Sequence, residues 1–188
     1  MRRKTFDVLF DTKAGMTVLV KKPCLWRSAW YFAMSTGFFA GVATNVWLME
    51  QPLEVRFAII IASVMILGTA LTLYGFLLHG ILETFGAVSG DPRGLICLLG
   101  YTTLPFLLLT PVSLLAGKLG LAGLVLLAGI AATGFCWMLY LLMRSLEVVY
   151  LIDFKRSVVT VLFSLLLLYI VFIWPLQIMG NLLMRILA

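Results

Sequence analysis

His79 and Glu83 form the first pair of side chains in this sequence whose types and spacing could do chemistry. They lie four positions apart at the end of a long apolar run, so on a helix they share one face. Ionisable groups in apolar segments often handle protons, and both residue types also bind metals. Two ligands are too few for a usual zinc site, and His79 is expected close to the membrane interface. We therefore predict a proton-handling pair or an ordinary interfacial pair, and no metal or other cofactor.

A short polar loop, "GAVSGDPRG", follows this pair and adds Asp91 and Arg93. The two charges could cap a helix, or they could pair with His79 and Glu83. These four residues form the candidate polar cluster. No nucleophile elbow, phosphate-binding loop or dinucleotide fingerprint occurs in the chain, so the sequence predicts a protein that is not an enzyme.

The stretch "LICLLGYTTLPFLLLTP" is apolar, yet two prolines interrupt it. Pro105 cannot donate a hydrogen bond to the Tyr101 carbonyl, and Pro111 cannot donate to that of Leu107. In hydrocarbon each freed carbonyl needs another partner, and Tyr101 and the adjacent threonines are placed to help. The break either bends a helix within a bundle or lines a transport pathway.

The elements that position these residues follow from composition. Apolar residues make up 63% of the chain and charged residues 12%, with a mean hydropathy of +1.11. Soluble domains are typically about 45–50% apolar and about 25% charged. The fold class predicted is therefore all-α, a polytopic membrane protein. The net charge of +6 comes from residues at span ends, which favours contact with lipid headgroups and not with nucleic acid.

Five hydrophobic runs predict a five-helix transmembrane bundle in a domain covering residues 28–188. The predicted spans are 28–49, 57–85, 95–116, 121–143 and 158–179. Residues 1–27 are mixed in character, with Phe6, Leu9 and Phe10 on one helical face. This segment predicts an amphipathic helix lying at the membrane interface.

Basic residues indicate the orientation of the spans. Of fourteen Lys and Arg residues, only Arg56, Lys118 and Arg185 fall on the side opposite the amino terminus. The positive-inside rule then places the amino terminus in the cytoplasm and the carboxyl terminus outside. Candidate lipid-headgroup contacts at the cytoplasmic surface are Lys21, Lys22 and Arg27.

The order of features resembles the Yip domain family, the Ypt/Rab-interacting proteins and their bacterial relatives. An amphipathic start ends in "KKP", five runs follow, and "HG" closes the second. The stretch "LLGYTTLP" is similar to the family signature LGYxxLP. The signature residues here are Leu99, Gly100, Tyr101, Leu104 and Pro105.

The resemblance implies a small integral membrane protein. Eukaryotic members act with Rab-type GTPases and with homologous membrane proteins, but they carry a long cytoplasmic amino-terminal segment. The short segment 1–27 argues against Rab-type GTPase binding and is similar to the bacterial branch. We therefore expect a multi-pass protein of the bacterial cytoplasmic (inner) membrane.

Three functional hypotheses follow, and the third of them is lipid handling, with a headgroup-specific lipid bound near Lys21, Lys22 and Arg27. The first is a non-enzymatic scaffold, assembly or membrane-organisation partner, contacting membrane lipids and associating with itself or with other integral membrane proteins. Its small-residue faces would be Gly37/Gly41 and Gly129/Gly134. The alternative is a small-molecule or ion transporter or channel, whose pathway would follow the broken third helix and the His79/Glu83 face.

Overall fold

The computed structural model describes residues 8–9, 11–21, 23–48, 50–87, 90–116, 118–173 and 177, and this part of the chain contains helices and no strands. The helices are α1 Thr12–Lys21, α2 Leu25–Trp47, α3 Leu53–Thr84, α4 Pro92–Thr102, α5 Leu104–Ala116, α6 Gly120–Tyr150 and α7 Phe154–Leu168. A π-helical turn, Tyr169–Ile173, continues α7.

Four helical stretches are long and apolar enough to cross a membrane: Leu53–Thr84, Pro92–Ala116, Gly120–Tyr150 and Phe154–Val171. The chain is therefore an all-α, multi-pass membrane protein, as predicted. Helix α2 has 23 residues and measures about 35 Å. Serine, threonine, glycine and asparagine dilute its apolar residues, so it is not among the four. The fifth span stays a prediction, and the predicted end of the last span, near residue 179, lies outside the described residues.

Local sequence explains where the helices begin and end. Pro52 occupies the position before the first residue of α3. Gly86, with φ +80°, follows the end of the helix. Pro92 opens α4, in the position where its missing N–H costs nothing. Helix α6 extends beyond the predicted limit of residue 143 to Tyr150. Its last turns contain Arg144 and Glu147, which form an ion pair three positions apart on the helix.

Helix α4 is the centre of the bundle. It packs against α1, α2, α3 and α6, and almost all of its residues from Gly94 to Thr102 are buried. Helix α3, by contrast, is peripheral. Only Gly75, Leu78 and Leu82 of its 32 residues are buried, so most of its surface is left for lipid.

The amino-terminal helix α1 packs on the bundle, against α4 and α6. Val8, Leu9 and Met16 belong to the hydrophobic core, while Phe6 and Phe10 lie outside the described residues. Lys13 Nζ lies 2.8 Å from Glu147 Oε1 of α6. Leu9, the one described residue of the predicted apolar face, is thus buried in the protein, and a helix lying in the interface is not confirmed.

Candidate functional site

His79 and Glu83 lie together at the carboxyl end of α3, with a third residue that the sequence did not indicate. His79 Nε2 is 3.3 Å from Glu83 Oε1, and His79 Nδ1 is 2.6 Å from the Tyr150 hydroxyl of α6. The His79 side chain is 18% exposed and that of Glu83 is 63% exposed. The imidazole therefore links a buried phenol on one helix to a carboxylate that water reaches.

Two features of the chain hold the Tyr150 ring in place. Gly90 lies so close to it that an added Cβ would come within 1.9 Å of a ring carbon. Helix α6 ends immediately after Tyr150, at Leu151 in the left-handed conformation with φ +53°. A side chain at position 90 would therefore displace the ring from His79.

Asp91 and Arg93 have a mainly structural arrangement. Asp91 Oδ1 accepts a hydrogen bond from the Arg93 backbone N–H at 3.0 Å, which caps α4. Both residues are exposed. Within the described part of the chain no ion pair joins Asp91 or Arg93 to His79 or Glu83. Of the four residues in the predicted cluster, His79 and Glu83 are in contact with each other. Asp91 and Arg93 form a helix cap nearby, and Tyr150 joins His79 in their place.

The proposed headgroup residues are only partly described. Lys21 and Arg27 are exposed at the start of the bundle, and Lys22 lies outside the described residues. Their exposure leaves them free to meet lipid headgroups, which stays a prediction.

A second charged cluster joins α1 to α6. Glu147, whose side chain is 13% exposed, forms ion pairs with Lys13 and with Arg144, whose Nη1 lies 2.7 Å from Glu147 Oε2. The Arg144 guanidinium lies 4.4 Å from the centre of the Phe154 ring of α7. The spans predicted from sequence, 121–143 and 158–179, left Arg144 and Glu147 in the connection between them, and the prediction went no further. It missed this junction because Lys13 is distant along the chain.

The signature residues form the central packing contact of the bundle. An added Cβ on Gly100 would lie 2.6 Å from the Ser28 carbonyl oxygen, so α2 and α4 touch backbone to backbone. Leu99 fills the space above Gly75 of α3. The Tyr101 ring is 5.3 Å from that of Tyr31. Leu104 and Pro105 are buried too.

The chain does break before Pro105, between α4 and α5 at Thr103. The Thr102 hydroxyl donates to the Leu99 carbonyl at 2.7 Å, and that of Thr103 to the Gly100 carbonyl at 2.9 Å. A bond of 2.7 Å joins the hydroxyls of Thr103 and Ser35 of α2. The threonines thus tie the broken helix to itself and to its neighbour.

A cavity of about 410 Å³ lies beside this break, between α3 and the bundle, and its lining is almost entirely apolar. All of its hydroxyl groups are engaged, within a helix or with Ser164: Thr36, Thr102, Thr103 and Tyr74. So apolar a lining offers few ligands to an ion and few partners to a polar solute. The transport alternative therefore gains no support from the broken helix.

Among the described residues, no three His, Cys, Asp or Glu side chains come together as metal ligands would. Cys97 is buried in α4, and Cys136 is exposed on α6.

Comparison with known proteins identifies the family. The family profile of the Yip1 domain matches residues 6–175, which include every described helix and the LGYxxLP signature. No curated protein and no solved structure gives a significant match. The protein therefore belongs to the Yip1 domain family.

Proposed function

We propose that this protein is a non-enzymatic membrane scaffold that assembles with itself through an exposed face of α6. The observation that carries the proposal is a row of small side chains on the lipid-facing side of that helix. These residues, which we call the α6 small face, are Ala128, Gly129, Ala132, Thr133 and Cys136, all exposed.

The spacing of this face suits close contact between helices. Ala128, Ala132 and Cys136 repeat every four positions, and Gly129 and Thr133 repeat beside them. No heavy atom lies within 4 Å of a Cβ added at Gly129. Small residues at this spacing let two helix backbones approach in a membrane, where van der Waals packing drives association.

The other small-residue faces are already used inside the chain. Gly37 and Gly41 of α2 pack on Val64 and Ile60 of α3, and Gly134 packs on Phe106 of α5. Among the four glycines of the two predicted faces, only Gly129 has no neighbouring atom where a side chain would lie. This narrows the proposed contact to a single helix face.

Cys136 allows a direct test. In a variant with Cys24→Ser and Cys97→Ala, oxidation in native membranes is expected to link two chains through Cys136. Transfer of the single cysteine to Leu73→Cys, an exposed position on α3, is the matched control and is expected to give little dimer. Gly129→Leu should abolish the Cys136 product.

Equal crosslinking from both positions would mean random collision, and no product from Cys136 would contradict association through α6. Mass measurement in mild detergent provides an independent check, in which a strict monomer with no bound partner counts against any scaffold role.

We further propose a bacterial cytoplasmic membrane location, with the amino terminus inside and five spans. The strong excess of Lys and Arg on one set of connections supports this orientation. The length of α2 supports the fifth span, as do exposed tryptophans towards both of its ends, Trp26, Trp30 and Trp47.

A further inference from the structure

A second cavity, of about 330 Å³, lies between the carboxyl end of α3 and the first turns of α7. Its apolar wall is formed mainly by Leu82, Phe85, Ile152 and Val159. Phe85 and Val159 are 58% and 65% exposed, so the cavity opens sideways to the surface. It lies where apolar helices meet a charged turn, which is the level of lipid headgroups.

Two cations line the same cavity. Lys155 and Arg156 are both exposed, and within the described part of the chain neither forms an ion pair. Asp153 is the nearest acidic residue in sequence, but it does not line the cavity. The polar end of the cavity therefore carries positive charge with no counter-ion among the described residues.

We infer that this cavity binds an anionic phospholipid. The phosphate lies against Lys155 and Arg156, and the start of an acyl chain lies on Leu82, Phe85 and Val159. Positive charge next to an apolar, laterally open wall matches the two parts of such a lipid. A soluble anion would gain nothing from the apolar wall, and a zwitterionic lipid would gain less from the two cations.

The site differs from the surface predicted at Lys21, Lys22 and Arg27. Neither Lys21 nor Arg27 lines this cavity. Those residues would attract the membrane surface in general, whereas the cavity has a shape that selects one bound lipid. The two sites can therefore be separated by mutation.

Native mass spectrometry of the full chain, released from detergent with added phosphatidylglycerol or phosphatidylcholine, tests the inference. The wild type is expected to retain phosphatidylglycerol preferentially. The double variant Lys155→Gln/Arg156→Gln is expected to bind it roughly thirtyfold more weakly, since each cation near the surface contributes about one kcal/mol. Arg56→Gln/Lys118→Gln removes the same charge at positions that do not line the cavity and is expected to leave retention unchanged.

Two further variants keep the test decisive if the double variant folds poorly. Val159→Trp fills the cavity without changing charge and should reduce binding, whereas Lys155→Arg/Arg156→Lys keeps both charges and should retain it. Unchanged retention in Lys155→Gln/Arg156→Gln or in Val159→Trp would overturn the inference. So would loss of binding in Arg56→Gln/Lys118→Gln, or displacement of the lipid by inorganic phosphate alone.

Discussion

Gly100 shows how a single residue sets the distance between two helices. A side chain at this position would press on the Ser28 backbone, which cannot rotate away as a flexible side chain can. We expect Gly100→Ala to lower the free energy of unfolding by about 1–3 kcal/mol, the usual range for overpacking. Thermal unfolding in detergent measures the change.

Gly80→Ala is the matched control, because nothing lies within 4 Å of a Cβ at that helical position. Alanine there should be neutral or stabilising by up to about 1 kcal/mol, from helix propensity alone. Equal effects at the two glycines would mean that the α2–α4 contact is looser than described.

The contact between His79 and Tyr150 is open to a double-mutant cycle. The single variants His79→Leu and Tyr150→Phe each remove one partner, and Tyr150 also has other interactions. The cycle isolates the bond at 2.6 Å. We expect a coupling of about 0.5–1.5 kcal/mol in unfolding free energy. Strictly additive effects would show that the two groups do not interact in the membrane.

The sequence predicts part of this site for a local reason. His79 and Glu83 lie one helical turn apart, so helix periodicity alone brings them together. Tyr150 comes from another helix, seventy-one positions away, and an apolar run gives no signal of which tyrosine will face inward. Contacts within one helix follow from spacing, whereas contacts between helices depend on how the bundle packs.

At the scale of elements, helix α1 distinguishes packing on the protein from packing on lipid. Met16 is fully buried, whereas Val18 is 43% exposed. We expect Met16→Ala to destabilise the docked helix by about 2–5 kcal/mol, as large-to-small core changes do. Hydrogen exchange of the Thr12–Lys21 amides should rise accordingly.

Val18→Ala is the control and should change exchange only slightly. If α1 instead lay on the bilayer, both variants would have small and similar effects. Exchange that is fast even in the wild type would contradict docking altogether.

The ends of the helices were harder to predict than their existence. The predicted spans leave residues 144–157 as a connection, but Arg144 and Glu147 pair with each other in α6, and the connection shrinks to residues 151–153. A charge in the sequence does not reveal whether it is solvated or paired. The break at Pro105, by contrast, was predictable because it follows from the missing N–H.

At the scale of the whole molecule, cysteine labelling can count the spans. In a background lacking the native cysteines, Gln51→Cys should react with a membrane-impermeant maleimide in intact cells, as should Lys118→Cys. Lys21→Cys should react only after permeabilisation, because the proposed orientation places it inside, with α2 crossing the membrane between it and Gln51. All three positions are exposed.

Labelling of Lys21→Cys and Gln51→Cys from the same side would mean that α2 does not cross the membrane. Gln51 and Lys118 share a side in either case, since α3 and the broken α4–α5 pair lie between them. Their agreement is therefore the internal control.

The two longest helices have a consequence for the lipid that surrounds the protein. Helices α3 and α6 have 32 and 31 residues, so each measures roughly 47 Å, against a hydrocarbon core of about 30 Å. His79 and Tyr150 are in contact near the carboxyl ends of these two helices. The extra length is accommodated by tilting, by local thickening of the bilayer, or by charged helix ends that project beyond the hydrocarbon. Longer acyl chains would bring this pair deeper into hydrocarbon, so we expect its environment to depend on bilayer thickness.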